Sequence, residues 1–324
     1  MKNYTVTRFK NADSNAWNDF LPTARNATFL FDRRFMDYHS DRFSDFSIMV
    51  FESGQLVALM PANRKADVFY SHQGLTYGGL VYSTLKLADV IAVFQQILKF
   101  LHHEGITKLV YKTLPEIYSE KPSQEMEYAI FLAKADHTRR DVLAVLDLSL
   151  KNDLSEVRKR GIKKGEKNQL AIVEDGDFAT FWDKILIPNL ESRHQASPVH
   201  TVEEIELLAS RFPKNIRQFN VYHNDEIVAG TTIFVTPHVA HAQYIAANET
   251  RSGLGSLDFL FNELIQKVFR EKRYFDFGIS NEEQGTKLNA GLSYWKESFG
   301  ASAVVQDFYE IPTGNYRLLD NAII

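Results

Sequence analysis

The sequence predicts an α+β fold built from two copies of one domain. The first observation is an internal repeat: ESGQLVALMPA at 52–62 returns as NDEIVAGTTIF at 224–234, and each is a polar turn followed by an alternating apolar strand. The second is that both copies continue into a further strand, a loop, an amphipathic helix and a short strand. A repeat of this length indicates a duplicated domain, and hairpins alternating with helices indicate an α+β fold. We therefore expect an N-terminal domain at 1–150 and a C-terminal domain at 151–324.

Each element of the first copy follows from its local pattern. Residues 46–61 alternate apolar and polar side chains on both sides of Ser53 and Gly54, which predicts a hairpin. Apolar residues recur at helical spacing over 87–101. Gly105 is expected to end that helix as a C-cap residue, and a short strand follows it.

The second copy repeats this order with a helical region in front of its hairpin. Pro188 interrupts a helical pattern over 178–190. Thr201 and Glu204 form a capping-box pattern that begins another helix at Val202. Further strands are expected at 170–174, 217–222, 227–235, 239–246, 274–277 and 303–309, and further helices at 256–270 and 287–299.

Composition excludes several classes of protein. The net charge of −4 provides no overall basic field for nucleic acid. A chain without cysteine has no disulfides, no thiolate metal site and no cysteine nucleophile. The N-terminus lacks a signal-peptide pattern, and no stretch approaches the roughly 20 apolar residues of a membrane helix. A cytoplasmic protein without a membrane span is therefore expected.

No metal site is expected from the histidines of the second copy. His200, His238 and His241 lack the i, i+4 spacing of histidine ligands on a helix. His241 and Tyr244 are three residues apart, so they would point to opposite faces of a regular strand.

A run of basic residues marks the predicted junction between the domains. On a helix four of them would share a face, because they stand at i, i+3, i+4 and i+7: Arg160, Lys163, Lys164 and Lys167. Gly161 and Gly165 either weaken this helix or allow another element to approach it closely. Two interpretations of the basic residues remain open, a solvated face and a patch that faces a phosphate group.

Two short segments are candidate binding sites. Gly253 and Gly255 expose main-chain N–H groups before a helix that starts at Ser256, which suits phosphate or pyrophosphate. A tight turn would explain the same glycines. Separately, the neighbouring Arg193 and His194 can hold an anionic or carboxylate group, or can simply cap the surface.

The run FDFGISNEEQGTKLNAGLSYWKESFG at 275–300 is the strongest candidate for chemistry. Asp276 ends its strand, and Asn281 and Glu282 follow in a polar loop. The helix after it is predicted to bury a stripe formed by Leu288, Leu292, Trp295 and Phe299. Lys296 and Asn289 lie beside that stripe, so the lysine either reaches out to solvent or points into a cleft. The first copy has no evident counterpart of this segment, which favours an active site in the second copy.

These segments together resemble the tandem N-acyltransferases of the FemAB-like group, which share the GNAT (acyl-CoA N-acyltransferase) fold. The resemblance rests on the basic pattern at 154–169, the NDEIVAG hairpin, the strand, loop and helix at 244–260, and FDFG followed by the Trp-Lys segment at 295–296. It covers most of the chain. It implies tandem GNAT-like domains with mixed sheets flanked by helices. The closer look-alikes are acetyltransferase-like proteins of bacterial polysaccharide and cell-envelope gene clusters.

The resemblance implies an enzyme that moves an acyl group from acyl-CoA to an amine of a sugar or cell-envelope precursor, without a metal or a covalent intermediate. In the aminoacyl-transferring members, a lysine that follows an aromatic residue lies near the reacting acyl group, and Lys296 matches it. The acyl-CoA loop of the wider fold begins with Gln or Arg. Here Thr250 stands at that position and Arg251 is shifted by one residue.

The expected roles follow from that chemistry. Glu282 or Asp276 is expected to accept the proton of the amine, and Tyr244 to protonate the leaving group. Lys296 and main-chain N–H groups at 244–247 are expected to stabilise the oxyanion. The donor is expected to bind the loop residues Arg251, Gly253, Gly255 and Ser256, and the acceptor is expected to bind Arg193, His194, Asn281 and Asn289.

Two other functions remain open. An aminoacyl-tRNA would donate to a peptidoglycan precursor, a reaction that the basic helix and Lys296 favour. The glycine loop and the lack of a large basic surface favour acyl-CoA, so tRNA is the less favoured partner. In the other alternative the chain is a non-catalytic binding module that has kept the cleft and lost the reaction. The shifted position of Arg251 favours this alternative. The expected partner is a small-molecule or carrier-linked sugar or peptide.

Overall fold

The computed structural model describes residues 2–151 and 153–323. The strands in chain order are β1 (Tyr4–Arg8), β2 (Ile48–Glu52), β3 (Gln55–Met60), β4 (Asn63–Lys65), β5 (Val68–Tyr70), β6 (Val81–Tyr82), β7 (Lys108–Lys112), β8 (Asp136–Asp147), β9 (Ala171–Val173), β10 (Ile216–His223), β11 (Glu226–Val235), β12 (Val239–Ala247), β13 (Tyr274–Ile279), β14 (Asn281–Glu282), β15 (Lys287–Leu288) and β16 (Ser302–Pro312).

The α-helices in chain order are α1 (Ser14–Phe20), α2 (Arg33–Met36), α3 (Leu87–His103), α4 (Glu125–Leu132), α5 (Glu156–Lys167), α6 (Phe178–Phe181), α7 (Ile187–His194), α8 (Val202–Arg211), α9 (Arg251–Leu254), α10 (Ser256–Glu263) and α11 (Ala290–Glu297). Two π-helical segments cover Trp182–Leu186 and Leu264–Val268. Short 3₁₀ segments cover Asn11–Asp13, Leu21–Thr23, Phe29–Phe31, Asp37–His39, Glu116–Tyr118, Glu283–Gly285 and Thr313–Leu319.

The chain divides into two compact units. Unit 1 comprises Met1–Asp141, Glu283–Thr286 and Val305–Ile324, and unit 2 comprises Val142–Glu282 and Lys287–Val304. This division differs from the predicted one at 150 and 151, because β8 spans the boundary and the end of the chain returns to unit 1. That return is fixed by antiparallel pairing of β16 with β7, from Phe308 with Lys112 to Pro312 with Lys108.

Unit 1 is built on two groups of strands, ordered β1-β2-β3-β6 and β4-β5-β7-β16. The predicted hairpin is present as β2 and β3, and its turn residues Ser53 and Gly54 have φ of 50° and 82°. The helix α3 buries one apolar side against this unit's core, where Val90, Phe94 and Leu101 are fully buried. Gly105 follows that helix with φ of 74°, as expected of a C-cap glycine.

Unit 2 contains a sheet of order β8-β13-β12-β11-β10-β9. All neighbours in it are antiparallel except β12 and β13, which are parallel. The turn between β10 and β11 has Asn224 and Asp225 with φ of 50° and 64°, so the second predicted hairpin is also present. The core on one face of this sheet includes Phe261, Phe275 and Phe277.

The glycines of α5 let α10 approach it closely, as one of the two sequence interpretations predicted. A Cβ on Gly161 would lie 1.8 Å from Asp258 Oδ2, and a Cβ on Gly165 would lie 2.4 Å from Phe259 Cβ. Any larger residue at either position would therefore push the two helices apart.

Pro188 changes the helix around it without breaking it. The main-chain N–H of Ile187 donates to the carbonyl of Trp182, a bond of π-helical spacing. Because proline has no N–H, the carbonyl four residues before it loses its helical donor, and a π-helical turn accommodates that loss. The predicted interruption is thus a local widening of a helix that continues through α7.

Candidate active site

The parallel strands β12 and β13 separate in the middle of unit 2. Their ladder runs from Val239 with Tyr274 to His241 with Asp276 and ends there, although β12 continues to Ala247 and β13 to Ile279. Both strands carry a bulge just after this point, at Gln243 against β11 and between Asp276 and Ile279 against β8. Bulges bend a strand, so β12 and β13 form a fork that is closed at His241 and Asp276.

The closed end of the fork holds a buried histidine and carboxylate. His241 Nδ1 lies 2.8 Å from Asp276 Oδ2, and Asp276 Oδ1 accepts from the main-chain N–H of Gly278 at 2.7 Å. Asp276 is completely buried. A carboxylate only accepts hydrogen bonds, so His241 donates to Asp276 from Nδ1, and Nε2 is the ring nitrogen that this contact does not use.

The bulge in β12 overturns the prediction that His241 and Tyr244 point to opposite faces. Tyr244 pairs with Thr232 and Ala242 pairs with Ile233, which leaves Gln243 as an extra residue. The extra residue shifts the alternation of side chains by one position. The alanines at 240, 242 and 247 therefore face the core of the sheet, and His241 and Tyr244 share the other face.

Tyr244 is held by His200 on that face. Its hydroxyl lies 2.6 Å from His200 Nδ1 and accepts from the main-chain N–H of His200 at 3.2 Å. Its ring packs edge-on against Trp182. The role predicted for Tyr244, protonating a leaving group, stays a prediction.

Lys296 reaches the fork from α11 and is only 3% exposed. Its Nζ donates to the carbonyls of Gly278 at 3.0 Å and Ile279 at 2.6 Å. Burial lowers the pKa of Lys296 to about 8, and the charge of Asp276 opposes that shift. Of the two interpretations from the sequence, the solvent-reaching lysine is excluded, and the ammonium lies against β13 where it leaves β12.

The helix of Lys296 starts later than predicted, which corrects the predicted core stripe. Leu288 is 61% exposed and Leu292 is 38% exposed, whereas Phe299 is buried. Leu288 lies outside the helix, in β15. The helix begins at Ala290 because the Asn289 side chain caps it, accepting from the N–H of Leu292 at 3.1 Å.

Three other predicted polar residues support this short hairpin and helix. Asn281 accepts from the main-chain N–H of Val142 at 2.9 Å, and Asn289 also donates to Glu282 at 2.9 Å. Glu282 is exposed on β14. The structure brings Asp276 and Lys296 to the fork. Asn281 contacts Val142 of β8, and Asn289 pairs with Glu282 beside the short hairpin that follows the fork.

The two glycines of the loop between β12 and α10 have different surroundings. A Cβ on Gly253 would meet no atom within 4 Å, whereas a Cβ on Gly255 would lie 2.1 Å from the carbonyl of Gly161. Gly255 also has φ of 72°, so close helix packing requires it. Ser256 is completely buried, and its hydroxyl has no hydrogen-bond partner within the described chain. Arg193, His194 and Arg251 were also predicted as site residues, and their side chains lie outside the described part of the structure.

The basic helix α5 has both paired and exposed charges. Arg158 forms an ion pair with Asp258, which also accepts from Trp295 Nε1 at 3.1 Å. Lys159 pairs with Glu156 at 2.7 Å. The residues at 160, 163, 164 and 167 are exposed, so the predicted shared basic face exists on the outside of the helix.

Unit 1 has the same strand arrangement without the same residues. Its parallel strands β5 and β7 end their ladder at Tyr70 with Val110, where unit 2 has His241 with Asp276. Lys112 follows, and its Nζ donates to the carbonyls of His72 at 3.3 Å and Leu75 at 2.6 Å, both in the loop after β5. Burial lowers the pKa of Lys112 to about 8 as well.

The sequence analysis did not identify His241 as a site residue. Its partner Asp276 stands 35 residues away, so local spacing carries no signal of the pair. The parallel ladder alone brings the two together. Among the described residues, no cluster of three or more His, Asp or Glu side chains could hold a metal ion, and no described helix is long and apolar enough to cross a membrane.

A fork between two parallel strands, with a helix after each strand, is an arrangement typical of the GNAT fold. Residues 150–296 match the family described as "Acetyltransferase (GNAT) domain". No curated protein matches the chain.

Solved structures show the same fold over nearly the whole chain. The crystal structure of FemX has a TM-score of 0.67 at 10% identity, covering 94% of this chain and 96% of that one. L-PGS from Bacillus licheniformis has 0.58 at 10% identity, covering 93% and 91%. A tandem GNAT protein from the clavulanic acid biosynthesis pathway has 0.53 at 11% identity, covering 96% and 99%. These structures confirm the predicted tandem GNAT-like fold, and residues 150–296 within it match an acetyltransferase domain of the GNAT type.

Proposed function

We propose that this enzyme transfers an acyl group from acyl-CoA to an amine of a sugar in a bacterial cell-envelope or polysaccharide precursor. The proposal depends on one observation, the buried pair of His241 and Asp276 at the closed end of the fork. A neutral imidazole whose other nitrogen donates to a carboxylate is a general base oriented for proton transfer. We assign that role to His241 and an orienting role to Asp276, because Asp276 is completely buried.

The reaction needs no covalent enzyme intermediate. The amine lone pair attacks the thioester carbonyl and forms the new C–N bond, while Nε2 of His241 accepts the proton of the amine. The tetrahedral intermediate then breaks its C–S bond and releases the CoA thiolate, which takes the proton back from Nε2 of His241 and so regenerates the base. Direct attack requires only a base, donors for the oxyanion and a geometry that holds both substrates.

The fork offers donors for the oxyanion from both of its sides. In an antiparallel ladder only alternate residues direct their N–H groups to the partner strand. Beyond the bulge at Gln243, every second residue of β12 directs its main-chain N–H to β11, and the main-chain N–H groups of the residues between them point into the fork. Lys296 adds a positive charge beside β13. One such donor typically stabilises the transition state by about 3 kcal/mol.

The loop between β12 and α10 supports acyl-CoA as the donor. Gly253 leaves its surroundings open, and the Ser256 hydroxyl is buried without a partner within the described chain. The N–H groups at a helix start can bind a phosphate. We therefore keep Gly253, Ser256 and the main chain of Gly255 as donor-binding residues, and Arg251 as a proposal. The tandem GNAT relative whose name mentions AcCoA supports the same donor.

The acceptor is proposed to approach on the face of the sheet that carries His241. Asn281, Asn289, Arg193 and His194 remain proposed acceptor contacts, and Glu282 remains an alternative base at the edge of that region. The likeness to FemX and L-PGS supports a carrier-linked acceptor of the cell envelope. Acyl-CoA is a cytoplasmic metabolite, so we propose that the reaction occurs in the cytoplasm.

A second donor, aminoacyl-tRNA, is favoured by the exposed basic face of α5 and by the likeness to FemX. The two donors can be separated by binding measurements at several salt concentrations. Binding of tRNA should weaken steeply as salt increases, because phosphate contacts release counterions. Binding of acetyl-CoA should depend on salt much less and should protect residues 250–256 from hydrogen exchange.

The proposed reaction is tested by incubating the enzyme with acetyl-CoA and a panel of amino sugars and nucleotide-linked amino sugars. We expect an N-acetylated product, detected by mass, with release of free CoA. An enzyme that binds acetyl-CoA but acylates no amine would contradict the proposal and favour a binding module.

A further inference from the structure

The loop between β12 and α10 lies along the C-terminal half of α5. A Cβ on Gly255 would lie 2.1 Å from the carbonyl oxygen of Gly161 and 3.1 Å from Cβ of Lys164. One turn beyond Lys164, the Asn168 side chain donates to the carbonyl of Leu254 at 3.4 Å. All of these residues belong to unit 2. The contacts place Lys164 beside the point where the loop turns into α10.

Lys164 stands at the edge of the exposed basic face of α5 that borders this loop. Successive residues of a helix are rotated by about 100°, so Lys163 lies on the far side of Arg160 from the loop. Lys163 and Lys164 are both exposed. The two lysines therefore carry the same charge on the same helix, but only Lys164 borders the loop.

The start of α10 has a carboxylate, and two cations face it. Asp258 forms an ion pair with Arg158 and accepts from Trp295 Nε1 at 3.1 Å. Burial raises the pKa of Asp258, and the charges of Arg158 and Lys164 oppose that shift. The charges of Asp258, Arg158 and Lys164 sum to one positive charge, so these side chains together attract an anion.

The first turn of α10 offers further groups to an anion. The N–H groups of a first helical turn have no acceptor within the helix, and the helix dipole favours negative charge there. Ser256 begins α10, is completely buried, and has a hydroxyl without a partner within the described chain. A Cβ on Gly253 would meet only open space. A phosphate group at this turn would have main-chain donors from α10 and an ammonium from α5.

We propose that Lys164 binds the diphosphate of the acyl donor together with the first turn of α10, so that α5 forms part of the donor site. The proposal rests on the proposed function, because it takes a CoA thioester as the donor. It assigns the phosphate-facing interpretation of the basic residues to Lys164 and the solvated interpretation to Lys163. The ammonium of a lysine is a compact charge on a flexible stem, which suits binding of a phosphate group.

Lys164→Gln and Lys163→Gln form a matched pair for the test. Each removes one positive charge from the same exposed face and keeps a good helix former in α5. CoA affinity is measured by calorimetry, which does not require turnover. Lys164→Gln should weaken CoA binding about tenfold or more, as expected for loss of a hydrogen bond between charged groups. Lys163→Gln should weaken it less than about twofold, because that lysine does not border the loop.

A shortened donor distinguishes phosphate binding from support of the fold. Acetylpantetheine lacks the diphosphate and the nucleotide, so the wild type and both variants should use it with the same kcat/KM. Lys164→Gln should show a lower kcat/KM with acetyl-CoA alone. A Lys164→Gln protein that loses thermal stability but keeps its CoA affinity would assign the lysine to compensation of Asp258 and overturn the proposal.

Two further results would contradict the role of Lys164. Equal loss of CoA affinity in the two variants would show a diffuse effect of charge rather than a contact. Tight binding of tRNA that both substitutions weaken equally would assign the whole basic face to nucleic acid, with a steep dependence on salt.

Failure of this proposal can be told apart from failure of the proposed function. A wild-type enzyme that binds no CoA contradicts both. A wild-type enzyme that binds CoA but acylates no amine contradicts the proposed function alone, since the CoA affinities of the variants still test Lys164. A wild-type enzyme that transfers the acyl group, together with a Lys164→Gln variant of normal CoA affinity, contradicts only the role of Lys164.

Discussion

His241 and Asp276 are the last residues that β12 and β13 pair before the two strands separate, and their side chains lie 2.8 Å apart. The pair therefore sits at the closed end of the fork. Unit 1 has Tyr70 and Val110 at its corresponding last pair, and so has no paired histidine and carboxylate at that place. The difference explains why the proposed chemistry belongs to unit 2.

Replacing His241 tests the proposed base directly. His241→Ala should lower kcat by about 100-fold or more, because general base catalysis typically contributes that much. His238→Ala, three residues earlier in the chain, is the matched control and should retain near-normal turnover. Steady-state rates of CoA release measure both. Equal activity in the two variants would remove His241 from the mechanism.

Lys296 and Lys112 form a matched pair for separating catalysis from support of the fold. Lys296 is buried and Lys112 is half-buried, and each donates to two main-chain carbonyls beside a pair of parallel strands. Lys296→Met and Lys112→Met should destabilise their units to a similar extent. Only Lys296→Met should also lower kcat, by about 100-fold, since one oxyanion donor is worth about 3 kcal/mol. Thermal unfolding and kcat are measured together, and a similar kcat for the two folded variants would assign Lys296 a purely structural role.

The pH dependence of turnover should report the charge of Lys296. Burial lowers the pKa of Lys296 to about 8, so the ammonium is present below that pH and is lost as the pH rises through it. If the charge stabilises the oxyanion, kcat should decline above about pH 8. The residual activity of Lys296→Met should lack this decline. An identical alkaline decline in both proteins would assign it to another group.

The two glycines of the loop before α10 should respond differently to alanine. Gly255→Ala places a Cβ 2.1 Å from the carbonyl of Gly161, at φ of 72°, so unfolding free energy should fall by more than about 2 kcal/mol. Gly253→Ala meets open space and should change stability by less than about 1 kcal/mol. Denaturant unfolding compares them. A stable Gly255→Ala protein would mean that α5 and α10 can move apart.

Two buried histidines of unit 1 should make stability fall in acid. Burial lowers the pKa of His39 to about 4 and that of His72 to about 3, and the charges that face them include Arg33, Arg42 and Lys112. As the pH falls below 6.5, these two histidines bind protons in the unfolded chain before they do so in the folded protein. Each histidine then lowers the unfolding free energy by about 1.4 kcal/mol per pH unit, until the pH reaches its folded pKa.

His39→Leu provides the comparison for this acid effect. It should make the unfolding free energy less steep in pH between about 6 and 4, measured by denaturant titration at each pH. His103→Leu, at the exposed end of α3, is the control and should leave the slope unchanged. Parallel slopes for all three proteins would show that His39 takes up its proton normally in the folded state.

Several features of this protein could be read from short stretches of its sequence. The two hairpins and the C-cap at Gly105 were predicted, and the close approach at Gly161 and Gly165 was one of two alternatives, because turn residues and glycines act through their immediate neighbours. Helical spacing placed Lys296 next to Trp295 and Phe299, but it left open whether the lysine reaches solvent or points into a cleft. The repeat itself predicted the tandem fold, since two similar sequences fold into similar units.

The candidate base and the shape of its site depended on contacts between distant parts of the chain. Register in the parallel ladder pairs His241 with Asp276, and the bulge at Gln243 turns Tyr244 to the same face. A local pattern specifies neither, because strand pairing and bulges are settled by packing of both strands against the rest of the sheet. The same cause returns β16 to unit 1. Local sequence thus dictated the elements and their order, whereas long-range strand pairing dictated which side chains meet.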